Sequence, residues 1–173
     1  LSLLVINRVL KEFAETGDNK NLTHSQKRDK AAVSLQRNMH YQAKRLAEEV
    51  VQNEKEDSDL VLQARCIKFL ATKESERKAG ESTEILRFLR DTNLRQETRV
   101  FLTKINLATA KKRASEEQDL LYIAQIERKL WNKVKYSPSG RFWYYLLIGV
   151  NPEKKAESSR TSYFRNRLSG QRA

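Results

Sequence analysis

The side chains of this sequence that could do chemistry are few in kind: two histidines, one cysteine, and a dense mixture of cations and aromatic rings. His24 and His40 stand sixteen residues apart, with no H-E-x-x-H or E-x-x-H pattern around either. Zinc-hydrolase and di-iron chemistry therefore find no ligand set. Neither histidine has a Ser or Cys nucleophile tied to it by a motif. His40 sits between Met39 and Tyr41, the setting of a partly buried structural histidine. Cys66 falls in the most apolar stretch and reads as a small buried hydrophobe rather than a reactive thiol. A single cysteine excludes an intramolecular disulfide and a Cys-based metal cage. The carboxylate pairs Glu48-Glu49 and Glu116-Glu117 are adjacent, and adjacent helical positions splay about 100° apart, so neither is an acid/base dyad. Neither G-x-G-x-x-G nor G-x-x-x-x-G-K-[ST] occurs, so a glycine loop that cradles phosphate is absent. The expectation is a protein that is not an enzyme and carries no metal or cofactor.

The informative constellation is aromatic plus basic. Of 14 aromatic residues, 8 fall in 131–173: Trp131, Tyr136, Phe142, Trp143, Tyr144, Tyr145, Tyr163 and Phe164. Lys133, Lys135, Arg141, Lys154, Lys155, Arg160, Arg165 and Arg167 interleave with them, and Arg172 follows. Single-stranded nucleic acid is bound by this combination, cations tracking phosphates while rings stack on bases. At least half of Trp131, Phe142, Trp143 and Tyr145 are expected to fill the core instead. Tyr163, Phe164, Arg165 and Arg167 are hardest to assign to a core, because nothing around them supplies one. A second basic feature precedes these. Lys27, Lys30, Arg37, Lys44 and Arg45 lie on or near one side of an expected helix, with almost no acids between 30 and 47. About 25 Å of such a helix could lie along a phosphate backbone without reading sequence.

The charge is uneven. The chain of 173 residues carries net +12. Residues 1–50 contribute +3, residues 51–130 contribute +2, and residues 131–173 contribute +7. Such asymmetry points to a polyanionic partner. The middle stretch, 51–130, with 16 bases against 14 acids, reads as solvated helix faces and as a poor phosphate surface. The longest apolar run, 142–150, would rise only about 14 Å as a helix, against about 30 Å for a bilayer core. It cannot span a membrane, although it could lie in an interface. The first residue is Leu1 rather than Met, as expected of a fragment or a processed chain.

The elements that must position these groups read as helices. Glycine (5) and proline (2) are scarce, which argues against folds built on many tight turns. Leu3, Leu4, Ile6, Val9, Leu10 and Phe13 fall at helical spacing over 2–15. Thr23 and Gln26 form a capping box that opens one long helix over 24–53. Ser58 opens a buried helix running to near Gly80, Ser82 a short one, and Thr92 a further stretch. Ser115 and Gln118 make a second capping box, but no Gly or Pro forces a break there, so one long or slightly kinked helix over 93–135 is favoured. Ser137-Pro138-Ser139-Gly140 is the clearest punctuation, and the run after it is either a short helix or a buried extended segment.

The reading is an all-α fold: an irregular or elongated antiparallel bundle with two long helices. A helical body over 1–135 carries a basic aromatic segment, 136–173, partly packed and partly tail. The function expected is non-enzymatic nucleic-acid binding, RNA ahead of DNA, as a structural subunit among other protein subunits of a ribonucleoprotein-type assembly. The alternatives are a helical protein-interaction adaptor and a peripheral protein on an anionic membrane surface. The expected setting is intracellular, in cytoplasm, nucleus or organelle matrix.

Overall fold

The computed structural model describes residues 3–113, 116–158 and 160. Among these the chain is all-α, with no strand. Helix α1 (Leu3–Glu15) turns Leu10, Phe13 and Ala14 inward and packs on α2 (His24–Gln36). The expected capping box opens α2: the Gln26 amide donates to Thr23 Oγ1 at 3.2 Å, and the Thr23 amide donates to Gln26 Oε1 at 2.9 Å.

The single helix expected over 24–53 is two helices, α2 and α3 (His40–Asn53). Asn38 breaks it with φ +61°, the left-handed region that asparagine tolerates better than most residues. The Met39 amide donates back to Ser34 O at 2.8 Å, and the Asn38 amide to Leu35 O at 3.1 Å. This pair of bonds is a Schellman stop, which needs an αL residue but not a glycine. The chain then doubles back. His24 meets Glu54 at 2.7 Å, Lys27 meets Glu49 at 3.0 Å, and Gln42 Nε2 donates to Ser34 Oγ at 2.8 Å, so α2 and α3 run antiparallel. Ala31, Ala32, Ala43 and Ala47 are all buried in this part of the core, and their small side chains suit close helix packing.

Helix α4 (Ser58–Ala71) is capped by Asp57, whose Oδ1 accepts from the Leu60 amide at 3.0 Å. It stops at Ala71, not near Gly80. Arg77 Nε donates to the carbonyls of Phe69 and Thr72, both at 3.1 Å, and its guanidinium lies 4.3 Å from the Phe69 ring centre. That side chain satisfies helix-end carbonyls that would otherwise lack partners. A 3₁₀ turn (Glu74–Glu76), α5 (Glu81–Leu86) and a second 3₁₀ turn (Arg87–Arg90) lead into α6. Cys66 is fully buried within α4, and burial pushes its thiol up to about 12, so it stays protonated.

The second long helix is also two: α6 (Gln96–Arg113) and α7 (Glu117–Val134). The cap is one residue later than expected, Glu116 with Asp119 in place of Ser115 with Gln118; Ser115 lies outside the described residues. The physical cause is a charge reversal. Lys111, Lys112 and Arg113 occupy the last turn of α6, while Glu117 and Asp119 occupy the first turn of α7. Each set complements the helix dipole at its own end. The two helices pack together as a second hairpin.

The punctuation at 137–140 is the start of α8 (Pro138–Leu147), with Ser137 Oγ accepting from the Gly140 amide at 3.2 Å. A Cβ on Gly140 would stand 2.6 Å from Val134 O, so glycine permits the tight α7–α8 corner. Ser139 Oγ donates to Glu97 Oε2 at 2.8 Å, and Trp143 packs on Phe101 at 5.1 Å between ring centres. Both contacts span 42 residues, so α8 runs parallel to α6. Residues 152–158 are again helical.

A polar chain crosses the middle of this packing. Arg28, only 8% exposed, donates from Nη1 to Gln63 Oε1, and its guanidinium lies 5.0 Å from the Trp143 ring centre. Gln63 Nε2 donates to Thr98 Oγ1 at 2.9 Å, which donates to Asp59 Oδ2 at 2.6 Å. Arg28 also donates to Asp29 at 2.8 Å and Ser25 at 3.1 Å. Four helices, α2, α4, α6 and α8, meet at this chain. Removing the guanidinium leaves the fully buried Gln63 Oε1 without its donor. Arg28→Ala should therefore cost about 3 kcal/mol in chemical denaturation, and Thr98→Val about half as much. A loss below about 1 kcal/mol for Arg28→Ala would show that the chain does not hold the helices together.

Candidate nucleic-acid interface

The basic residues expected to form a straight rod do not form one, because the helix that carried them folds into the α2–α3 hairpin. Lys30 is buried, and its ammonium donates to Thr16 O and to Asn19 Oδ1, where it secures the α1–α2 connection. Lys27 is paired with Glu49, and the more exposed Arg45 lies 3.9 Å from the same carboxylate. Arg37 and Lys44 are half-buried and have no ion-pair partner among the described residues. A carboxylate thus sits in the middle of what read as an unbroken positive stripe.

In the C-terminal segment, Trp131, Trp143 and Tyr144 are core residues, Tyr145 is half-buried, and Phe142 and Tyr136 are exposed. Leu146 and Leu147 are buried with them. The run 142–150, whose sequence would also allow it to lie in a membrane interface, is therefore largely packed inside the protein. No helix among the described residues is long and apolar enough to cross a membrane. Lys154 is exposed and, with Arg141, borders a hollow of about 220 Å³ beside Trp131 and Tyr144. Burial raises the Tyr144 hydroxyl well above its ordinary value, and Glu127 adds to the effect. Lys155 donates to Glu127 at 3.2 Å, and Arg160 is exposed. Tyr163, Phe164, Arg165, Arg167 and Arg172 lie outside the described residues.

A broad hollow lies where the sequence looked least promising, between α6 and α7. It measures about 570 Å³. Arg99, Thr103 and Asn106 form the α6 wall; Gln125, Arg128, Lys129, Asn132 and Lys133 form most of the α7 wall, with Tyr122 at one end. Four cations line it, and no carboxylate does. Arg128, Lys129 and Lys133 are exposed and have no ion-pair partner among the described residues, and Arg99 donates to the Asp91 carbonyl at 3.0 Å. A smaller hollow of about 280 Å³ shares Asn106 and Tyr122 and continues toward Arg113 and Asp119.

The local geometry explains why the charge is one-sided. Glu127 is the acid nearest these cations in sequence, and α7 turns it inward. It is 7% exposed, with Lys155 at 3.2 Å and Lys111 at 4.0 Å. Residues 125, 128, 129, 132 and 133 recur at helical spacing and share one face, while 127 points away. A count of charges along the chain averages the two faces; a helical wheel of 117–134 would have separated them. Burial next to Lys111 lowers the Lys104 ammonium from its ordinary value on the neighbouring face of α6.

Such a groove can hold phosphate oxygens by charge and can offer amide donors and acceptors beside them. No group of three or more His, Cys, Asp or Glu side chains that could hold a metal ion occurs among the described residues. No family model, curated protein or solved structure matches the chain.

The pairing across the α2–α3 hairpin has a pH signature. The His24 ring beside Glu54, with the amides of Glu56 and Asp57, holds the Glu54 carboxyl down from 4.5 to about 2. The native carboxylate stays ionised where the unfolded one takes up a proton, so its contribution is present above 4.5 and is lost as pH falls toward 2. Glu54→Gln should lower the Tm at neutral pH, and the gap to the wild type should close over that acid range. A gap that persists unchanged down to the lower limit would contradict the assignment.

Proposed function

We propose that this protein is a non-enzymatic nucleic-acid-binding subunit, RNA ahead of DNA, of a larger ribonucleoprotein-type assembly. The α6–α7 groove is its main phosphate contact. The observation that carries the reading is the convergence of Arg99, Arg128, Lys129 and Lys133 on one hollow with no carboxylate in its lining. Like charges gathered on one concave surface raise the local positive potential, and a polyanion is drawn to it. The basic segment 136–173 adds a second, weaker contact through Lys154, Arg160 and the arginines that follow, and an intracellular setting belongs to the same reading.

An adaptor role is favoured by one observation of its own. Helix α1 leaves Leu4 and Val9 exposed, at 82% and 57%, on an otherwise amphipathic helix. A protein partner that covers them would bind with little salt dependence, unlike a polyanion.

The test is RNA binding by fluorescence anisotropy across a salt series. The variant replaces Arg99, Arg128, Lys129 and Lys133 with glutamine. Each phosphate contact contributes about 0.7 to the log-log salt slope for a single strand, so the slope should flatten by up to about 3. A second chain ending at Ser158 tests the tail and leaves α8 in the core; its slope should change less. An unchanged slope in the fourfold variant would overturn the groove as the phosphate contact.

A further inference from the structure

We infer that the α6–α7 groove takes a single strand rather than a duplex, with Tyr122 as the platform on which a base stacks. This rests on the nucleic-acid reading above and narrows it. Three observations converge. The first is shape. Proteins that read duplexes insert a convex element, a helix or a ribbon, into a groove about 12 Å wide. Here the basic surface is itself concave, and its volume of about 570 Å³ is in the range of small-ligand sites, room for one or two nucleotides.

The second is Tyr122. It borders both the larger and the smaller hollow, and it is 56% exposed. An aromatic ring left this open at the junction of two hollows has a face free for another planar group. Flat bases of any identity can occupy such a face, so the contact tolerates sequence variation.

The third is the company the cations keep. Asn106, Gln125 and Asn132 line the same groove. A phosphate only accepts hydrogen bonds, so a groove made for phosphate alone has no use for amide oxygens. Base edges offer donors and acceptors side by side, and a carboxamide matches both. The distribution also gives a direction. Arg99, Arg128, Lys129 and Lys133 gather in the larger hollow, while the smaller one holds one cation, Arg113, with the carboxylate of Asp119 and so has no excess positive charge. Phosphates therefore sit over the larger hollow, and the stacked base sits at its Tyr122 end.

The experiment compares a labelled oligouridine with a perfect RNA duplex of equal length and with inorganic polyphosphate as competitors, on the full chain. The proteins are the wild type, Tyr122→Ala, Tyr122→Phe and the fourfold glutamine variant. Tyr122 is an exposed residue, so both substitutions should fold, and unchanged circular dichroism checks this. The expected result is that Tyr122→Ala loses roughly 5- to 150-fold in single-strand affinity, the range set by one stacking contact. Its salt slope stays that of the wild type, and Tyr122→Phe retains the affinity. Duplex and polyphosphate should compete poorly for the labelled strand. Wild-type affinity in Tyr122→Ala, or duplex competing as well as single strand, would overturn the single-strand inference while leaving a phosphate groove intact. Loss of affinity in Tyr122→Ala with no effect of the fourfold variant would instead remove the cation reading and keep the stack. No binding of any polyanion by the wild type would end both.

Discussion

A buried guanidinium holds the arrangement in register. Arg28 reaches out of α2 to Gln63 on α4, which passes the contact to Thr98 on α6 and on to Asp59, while Trp143 of α8 covers the cation. Hydrogen bonds are directional in a way that apolar packing is not. The chain therefore sets how α6 stands against the α2–α4 layer, and α8 is fixed beside it. Asp29 sits at the edge of this chain, where burial raises its carboxyl above the ordinary value against the pull of Arg28. A polar group placed among helices is costly unless every partner is present, which makes the arrangement specific.

Everything that matters for the groove follows from where α6 and α7 are held. The α6 wall is set by the polar chain at one end and by Phe101 against Trp143 further along. The α7 wall is set by Ile123, Leu130, Trp131 and Val134, which are buried at helical spacing. Turning those residues inward turns Arg128, Lys129 and Lys133 outward. Glu127 goes inward with the apolar side and is neutralised there by Lys155 and Lys111. One helix thus sorts its own charges: the acid stabilises the body, and the bases are left facing an open hollow.

Much of the fold was legible in the sequence because it depends on local signals. The periodicity of 2–15, the Thr23–Gln26 box and the apolar run around Cys66 each translate directly into an element. Two hairpins were not legible as such, for a shared reason. Their turns use neither glycine nor proline. Asn38 adopts the left-handed conformation itself, and the change from α6 to α7 is written in charge, basic residues ending one helix and acidic ones starting the next. The candidate site was legible only in part. Basic character near Lys154 and Arg160 is visible from composition. That Lys30 would be buried, or that Glu127 would leave the cations around it unopposed, depends on tertiary packing that no count along the chain contains. The aromatic run posed the same difficulty, since stacking rings and core rings have the same composition.

The most direct test of the account is to see where a nucleic acid touches the protein. A single-stranded oligonucleotide carrying 4-thiouridine, photocrosslinked to the full chain and mapped by mass spectrometry, reads this without any substitution. The account predicts adducts on the facing walls of α6 and α7, with Tyr122 among the strongest. Adducts confined to α1, to the α2–α3 hairpin or to residues beyond 160 would place the contact elsewhere and contradict it.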